Sequence, residues 1–82
     1  MAGNAAIAAD KTLDAKGLTC PLPVLRARKA IGDVPAGGVL RVEATDPGAV
    51  KDFEAFCKAG GHRLLAQSSD NGVLVFLIKK AG

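Results

Sequence analysis

The chain has 82 residues, 49% of them hydrophobic and 23% charged, which describes one small globular domain with no room for a second core. A net charge of +3 with scattered basic residues, three Phe and no Trp or Tyr, argues against nucleic-acid binding by base stacking and fits an acidic protein partner better. Two cysteines far apart and a single histidine lack metal-ligand spacing, so no metal and no cofactor is expected.

Residues 1–10 are rich in alanine and too weakly apolar for a signal peptide, and they read as a flexible tail ahead of a single domain over 11–82. No stretch approaches a membrane span, so a cytoplasmic home with reduced thiols is expected. Lys11 to Ala15 predicts a short strand anchored by Leu13. A Lys16–Gly17 turn follows, in which Gly17 takes a conformation that a β-carbon would resist and Asp14 is placed to bond the backbone. Pro21 to about Gly32 predicts the first helix, with Val24, Ala27 and Ile31 on its apolar stripe. Leu22, Arg26 and Lys29 fall on the opposite side, and Arg28 lies near the stripe, where its stem packs while its head reaches water.

Asp33 to Gly38 reads as a loop, and Val39 to Thr45 as a half-buried strand, with Leu40, Val42 and Ala44 facing one way and Arg41 and Glu43 the other. Asp46 and Pro47 suit the N-cap and first position of a second helix, whose buried stripe is Val50, Phe53, Phe56 and Cys57 and whose end is Gly60–Gly61. Two further strands, His62 to Ser69 and Val73 to Lys80, flank a hairpin turn at Asp70-Asn71-Gly72. The order β-α-β-α-β-β predicts an α+β fold: a two-layer sandwich of a four-stranded mixed sheet with both helices on one face and the other face open.

Cys20 stands in Thr19-Cys20-Pro21-Leu22-Pro23, directly before the first helix. Proline suits the first helical position, which makes Cys20 the N-cap and puts Pro21 and Pro23 at the first and third positions. Neither proline has an N–H, so Leu22 is the one donor in that stretch for the sulfur. That donor and the positive helix end predict a lowered thiol pKa, with no acid or histidine adjoining in sequence. Cys57, on the Phe53–Phe56 stripe, reads as a buried core thiol, with a resolving cysteine as the alternative. His62 reads as a structural or exposed imidazole, with proton transfer or partner contact as the alternative. Arg26, Arg28 and Lys29 are either a solvated helix face or, with Leu22, a docking surface beside the thiol.

With Leu13-Asp14, Gly17-Leu18 and Cys20-Pro21-Leu22-Pro23 placed between a strand and a helix, the chain resembles the TusA/SirA-like small sulfur-carrier proteins. It matches their Cys-Pro-x-Pro signature at every defined position, with secondary matches at Asp46-Pro47, Phe56-Cys57 and Gly61-His62. The resemblance implies a βαβαββ sandwich and a cytoplasmic sulfurtransferase role, in which Cys20 accepts a persulfide sulfur and Asp14, Gly17, Pro21, Leu22 and Pro23 support it. It also implies a donor protein, such as a cysteine desulfurase or rhodanese, and an acceptor relay protein. The pathways served are tRNA thiolation, molybdenum cofactor enzymes or sulfur oxidation. Members of the tRNA relay often carry a basic residue before the cysteine and an acidic one between the prolines, where this chain has Thr19 and Leu22. A monomer without direct nucleic-acid or membrane contact is expected. The other readings are a thiol redox protein cycling Cys20 and a non-catalytic interaction module.

Overall fold

Alternation of apolar and polar side chains builds the sheet, and glycines and prolines punctuate it. In the computed structural model, which describes residues 8–81, strand β1 (Lys11–Ala15) leads to helix α1 (Leu22–Ala30) and a 3-10 turn over Ile31–Asp33. Strand β2 (Val39–Ala44), helix α2 (Ala49–Gly60) and strands β3 (Arg63–Asp70) and β4 (Val73–Lys79) follow. The sheet order is β1-β2-β4-β3, with β1 parallel to β2 and β4 antiparallel to both its neighbours. The β-α-β-α-β-β order and the mixed sheet are those read from the sequence. The tail expected over residues 1–10 lies outside the described residues as far as position 7; Asp10 exchanges hydrogen bonds with Val39, through its N–H to the Val39 carbonyl and its Oδ2 from the Val39 N–H, each at 2.8 Å.

One face of the sheet carries the core. Leu40, Val42 and Ala44 alternate inward on β2 and pair in register with Ile78, Phe76 and Leu74 of β4. Against them pack Ala27, Ala30 and Ile31 from the first helix and its turn, and Ala49, Phe53 and Cys57 at i, i+4 and i+8 on α2. Both helices therefore cover the same face. The Phe53 ring lies 4.7 Å from that of Phe76 and meets Phe56 edge-on at 6.1 Å. On the opposite face Arg41 and Glu43 form an ion pair at 3.1 Å, and Lys16 reaches the same carboxylate at 3.1 Å. That face is not uniformly open: Leu77, whose register partners are Arg41 and Ala66, is only 2% exposed.

Differences from the sequence reading lie at element ends. The α-helical ladder of α1 stops at Ala30 and tightens into the 3-10 turn, short of Gly32. Strand β2 stops at Ala44, one residue short of Thr45, whose hydroxyl accepts the Gly17 N–H. Helix α2 begins at Ala49 with Gly48 as its N-cap; Asp46 lies two residues ahead of that cap, and its carboxylate is shared between the Gly48 N–H and the N–H of Cys20. A bulge between Leu64 and Ala66, unannounced in the sequence, leaves Leu65 outside the pairing and 38% exposed. The Asn71–Gly72 turn has φ of 52° and 81°, the two positive values that a two-residue hairpin of the primed kind demands. Gly61 ends α2 at φ 73°, its N–H returning to the Cys57 carbonyl. No described helix is long and apolar enough to cross a membrane.

Candidate functional site

Parallel pairing of β1 and β2 sets Ala15 opposite Ala44, so the segments leaving the two strands emerge side by side. A crevice beyond the carboxyl ends of parallel strands is where α/β sheets commonly place chemistry. The first segment turns at Gly17, whose φ of 82° is the left-handed conformation expected from its lack of a β-carbon. Its N–H donates to Thr45 Oγ1 at 2.9 Å, which ties the turn to the end of β2. Asp14 Oδ1 accepts from the Lys16 N–H at 3.0 Å, the backbone contact anticipated for that carboxylate.

Cys20 follows, exposed and unpaired. The Cys20–Pro21 peptide is cis, Pro21 is the N-cap, and the helix proper begins at Leu22. Cys20 therefore lies one residue ahead of the cap, and Pro23 occupies the second helical position, with its ring buried against the core. The Leu22 N–H does not reach the sulfur; it donates to the Thr19 carbonyl at 2.8 Å. Among the described residues no N–H donates to Sγ.

What does meet Cys20 comes from the second crossover. Its N–H donates to Asp46 Oδ2 at 2.6 Å, and its Sγ–H donates to Asp52 Oδ2 at 2.5 Å. Asp46 Oδ1 also accepts from the Gly48 N–H at 3.4 Å, so this residue holds two stretches of backbone together. Asp52 projects from the first turn of α2. The hydrogen bond to Asp52 pushes the Cys20 thiol up from its ordinary range, helped by desolvation and by the negative charges of Asp52 and Asp46. This reverses the lowering expected from the helix end. The helix dipole acts weakly where no N–H points at the sulfur, whereas a carboxylate in contact with a thiol disfavours a second negative charge directly.

A groove of about 610 Å³ runs from this point between the helices, walled by Val24 and Arg28 of α1 and by Asp52 and Phe56 of α2. His62 closes its far end. The imidazole is half-buried, stacks at 5.2 Å on Phe56 and accepts the Ala81 N–H on Nδ1 at 2.9 Å, so it ties the C-terminal segment to the end of α2. Cys57 is buried on the inner side of α2, unpaired, its thiol pushed up by burial. Leu22, Arg26 and Lys29 are exposed on the outer side of α1, as their wheel positions required. Leu25, not singled out from the sequence, joins them: it is 48% exposed, next to Leu22 at 41%, and the spacing 22, 25, 26, 29 was the signal that could have found it. Sequence proximity also concealed Asp52, because its relation to Cys20 is purely tertiary. Among the described residues no cluster of three or more His, Cys, Asp or Glu is placed to hold a metal ion.

Comparison with known proteins agrees with this architecture. The family model described as sulfurtransferase TusA matches residues 11–80. A sulfur carrier protein TusA from Allochromatium vinosum is 53% identical over 72 residues, covering 88% of this chain and 95% of that protein. A putative sulfur carrier protein, YrkI, from Bacillus subtilis is 49% identical over 71 residues, covering 87% of this chain and 95% of that protein. The crystal structure of a SirA-like protein from Desulfitobacterium hafniense superposes with a TM-score of 0.76 at 31% identity, covering 88% of this chain and 99% of that one. The strand order, the thiol before the first helix and these likenesses together establish that the chain belongs to the TusA family of sulfurtransferases.

Proposed function

We propose that this protein is a sulfur carrier that holds a sulfane sulfur as a persulfide on Cys20, taking it from a donor protein and passing it to an acceptor. The observation that carries this reading is the exposed Cys20 thiol at the β1–α1 junction of a chain so similar to proteins named sulfur carriers. The chemistry is an exchange: Cys20 sulfur attacks the outer sulfur of a donor persulfide, and an acceptor thiol later attacks the outer sulfur now held on Cys20. Burial of Cys57 speaks against a redox cycle between the two cysteines.

The donor is a cysteine desulfurase or rhodanese in this reading, and it docks on the outer face of α1. Leu22 and Leu25 supply exposed apolar anchors beside the cations Arg26 and Lys29. An apolar centre with a basic rim suits a transient contact with an acidic surface, in which the charges chiefly raise the association rate. Intact mass after incubation with a cysteine desulfurase and cysteine tests the carrier role. The wild type is expected to gain one sulfur atom, lost again on adding reductant, while Cys20→Ser gains none. A wild type that remains unmodified, or a folded Cys20→Ser protein that still loads, overturns the reading.

A further inference from the structure

We infer that Asp52 is a catalytic residue that accepts the Cys20 thiol proton as the sulfur attacks and returns it to the departing thiolate. This inference rests on the sulfur-carrier reading above. The hydrogen bond from Sγ to Oδ2 at 2.5 Å already lies along the path of the proton.

The surroundings leave Asp52 as the group for this task. A thiol must lose its proton to act as a nucleophile, and a preformed thiolate needs donors or cations to hold it. Pro21 and Pro23 have no N–H, and that of Leu22 is spent on the Thr19 carbonyl. The charged groups in contact with Cys20 are Asp46 and Asp52; Arg28 and His62 line the same groove but make no hydrogen bond to the sulfur. Asp46 uses both its oxygens on the N–H groups of Cys20 and Gly48, so it positions backbone. Asp52 makes no salt bridge among the described residues, and its carboxylate is committed to Sγ alone. With the thiol form favoured at rest, deprotonation belongs to the attack itself.

The step balances without an outside oxidant or reductant. The Sγ–H bond breaks and its proton passes to Asp52, while the Sγ electron pair forms a bond to the outer sulfur of the donor persulfide. The donor's S–S bond breaks, and its electron pair leaves on the inner sulfur as a thiolate, which takes the proton from Asp52. The products are the Cys20 persulfide and the donor thiol. In discharge the acceptor thiol gives its proton to Asp52 as its sulfur bonds to the outer sulfur, the Cys20 S–S bond breaks, and the departing Cys20 thiolate takes that proton from Asp52.

Two readouts on one cysteine test this. Iodoacetamide alkylation follows the thiolate population, whereas loading from cysteine persulfide, a small donor that needs no docking, follows sulfur transfer. Asp52→Asn keeps the shape and removes the base. It is expected to speed alkylation near neutral pH several-fold and yet slow loading by roughly 10², the lower range for a lost general base. Asp52→Glu should recover part of the loading rate. Loading that rises in step with alkylation in Asp52→Asn overturns the inference, since Asp52 would then only suppress the thiolate. If Asp52→Asn fails to fold, the wild type decides: loading slower in D₂O than in H₂O supports a proton in flight, and equal rates overturn it. A wild type whose Cys20 alkylates but takes no sulfur overturns the carrier reading itself.

Discussion

Cys20 Sγ and Asp52 Oδ2 stand 2.5 Å apart although 32 positions separate the two residues in sequence. The contact makes this thiol one that is held protonated at rest, in a fold where the adjoining helix end alone would favour the thiolate.

Alkylation of Cys20 is therefore expected to show a midpoint above that of the same thiol in the unfolded chain. Below that midpoint the thiol predominates, so reactivity rises with pH later than for an ordinary cysteine. Asp52→Asn should lower the midpoint more than Asp46→Asn, because the hydrogen bond that the thiol donates to Asp52 is the largest cause and the charge of Asp46 the smallest. Mass spectrometry of the labelled protein across a pH series measures both. A midpoint at or below the unfolded value would contradict the geometry at this site.

Cys57 is expected to resist alkylation in the native protein at pH values where Cys20 reacts, and to react only as the chain unfolds. Cys57→Ser should leave sulfur loading intact while lowering stability by about 1–3 kcal/mol, the usual range for a hydroxyl buried without a full set of partners. Urea denaturation gives the second number and intact mass the first.

Phe53 is fully buried between Phe56 and Phe76 beneath the sheet. Phe53→Ala is expected to cost about 3–5 kcal/mol, because the lost apolar surface is joined by a cavity that fixed strands cannot close. For a domain this small that change threatens folding outright. Phe53→Leu should be far milder, and chemical denaturation of both variants checks the difference.

The Glu43 carboxylate is held below the usual range by its hydrogen bonds to Lys16 and Arg41, and the Glu43 contact pushes Lys16 up in turn. A lowered carboxylate adds stability above its unfolded pKa, lost as pH falls through the folded value. A raised ammonium adds stability below its unfolded pKa, lost as pH rises through the folded value. Glu43→Gln should therefore melt below wild type at neutral pH, with the two Tm values converging in acid. Melting curves from about pH 3 to pH 8 test this, and a gap that persists to the acid end would point to packing instead.

Reversal of the basic face, Arg26→Glu with Lys29→Glu, is expected to slow loading from a desulfurase at low salt and to leave loading from cysteine persulfide unchanged. Added salt should narrow the difference, since exposed charges more than about 10 Å apart are screened at moderate ionic strength. Leu25→Ala should add a several-fold loss that salt does not relieve. Equal rates from the protein donor in all variants would remove this face as the docking surface.

The sequence by itself determined what depends on a few neighbouring residues. Gly17, Asn71, Gly72 and Gly61 adopt positive φ because their side chains, or lack of them, permit it, and this sets the turn after β1, the hairpin and the end of α2. Alternation along β2 likewise announced its buried face, and the wheel put Leu22, Arg26 and Lys29 outside; on α2 the expected stripe found Phe53 and Cys57 but missed Ala49, and Val50 and Phe56 are only half-buried. The Cys-Pro-Leu-Pro segment marked the thiol and its helix for the same local reason. Tertiary structure alone decided the strand order, the bulge at Leu65, the burial of Leu77 on the far face and the carboxylates that meet Cys20. Asp46 looked like a helix cap because nothing local distinguishes a cap from a carboxylate reaching another loop. Asp52 looked like one more charge on a helix. Only the parallel pairing of β1 with β2 sets the two crossovers edge to edge, and at that distance direct contact with a carboxylate outweighs the field of a helix end, which turns the thiol toward its protonated form.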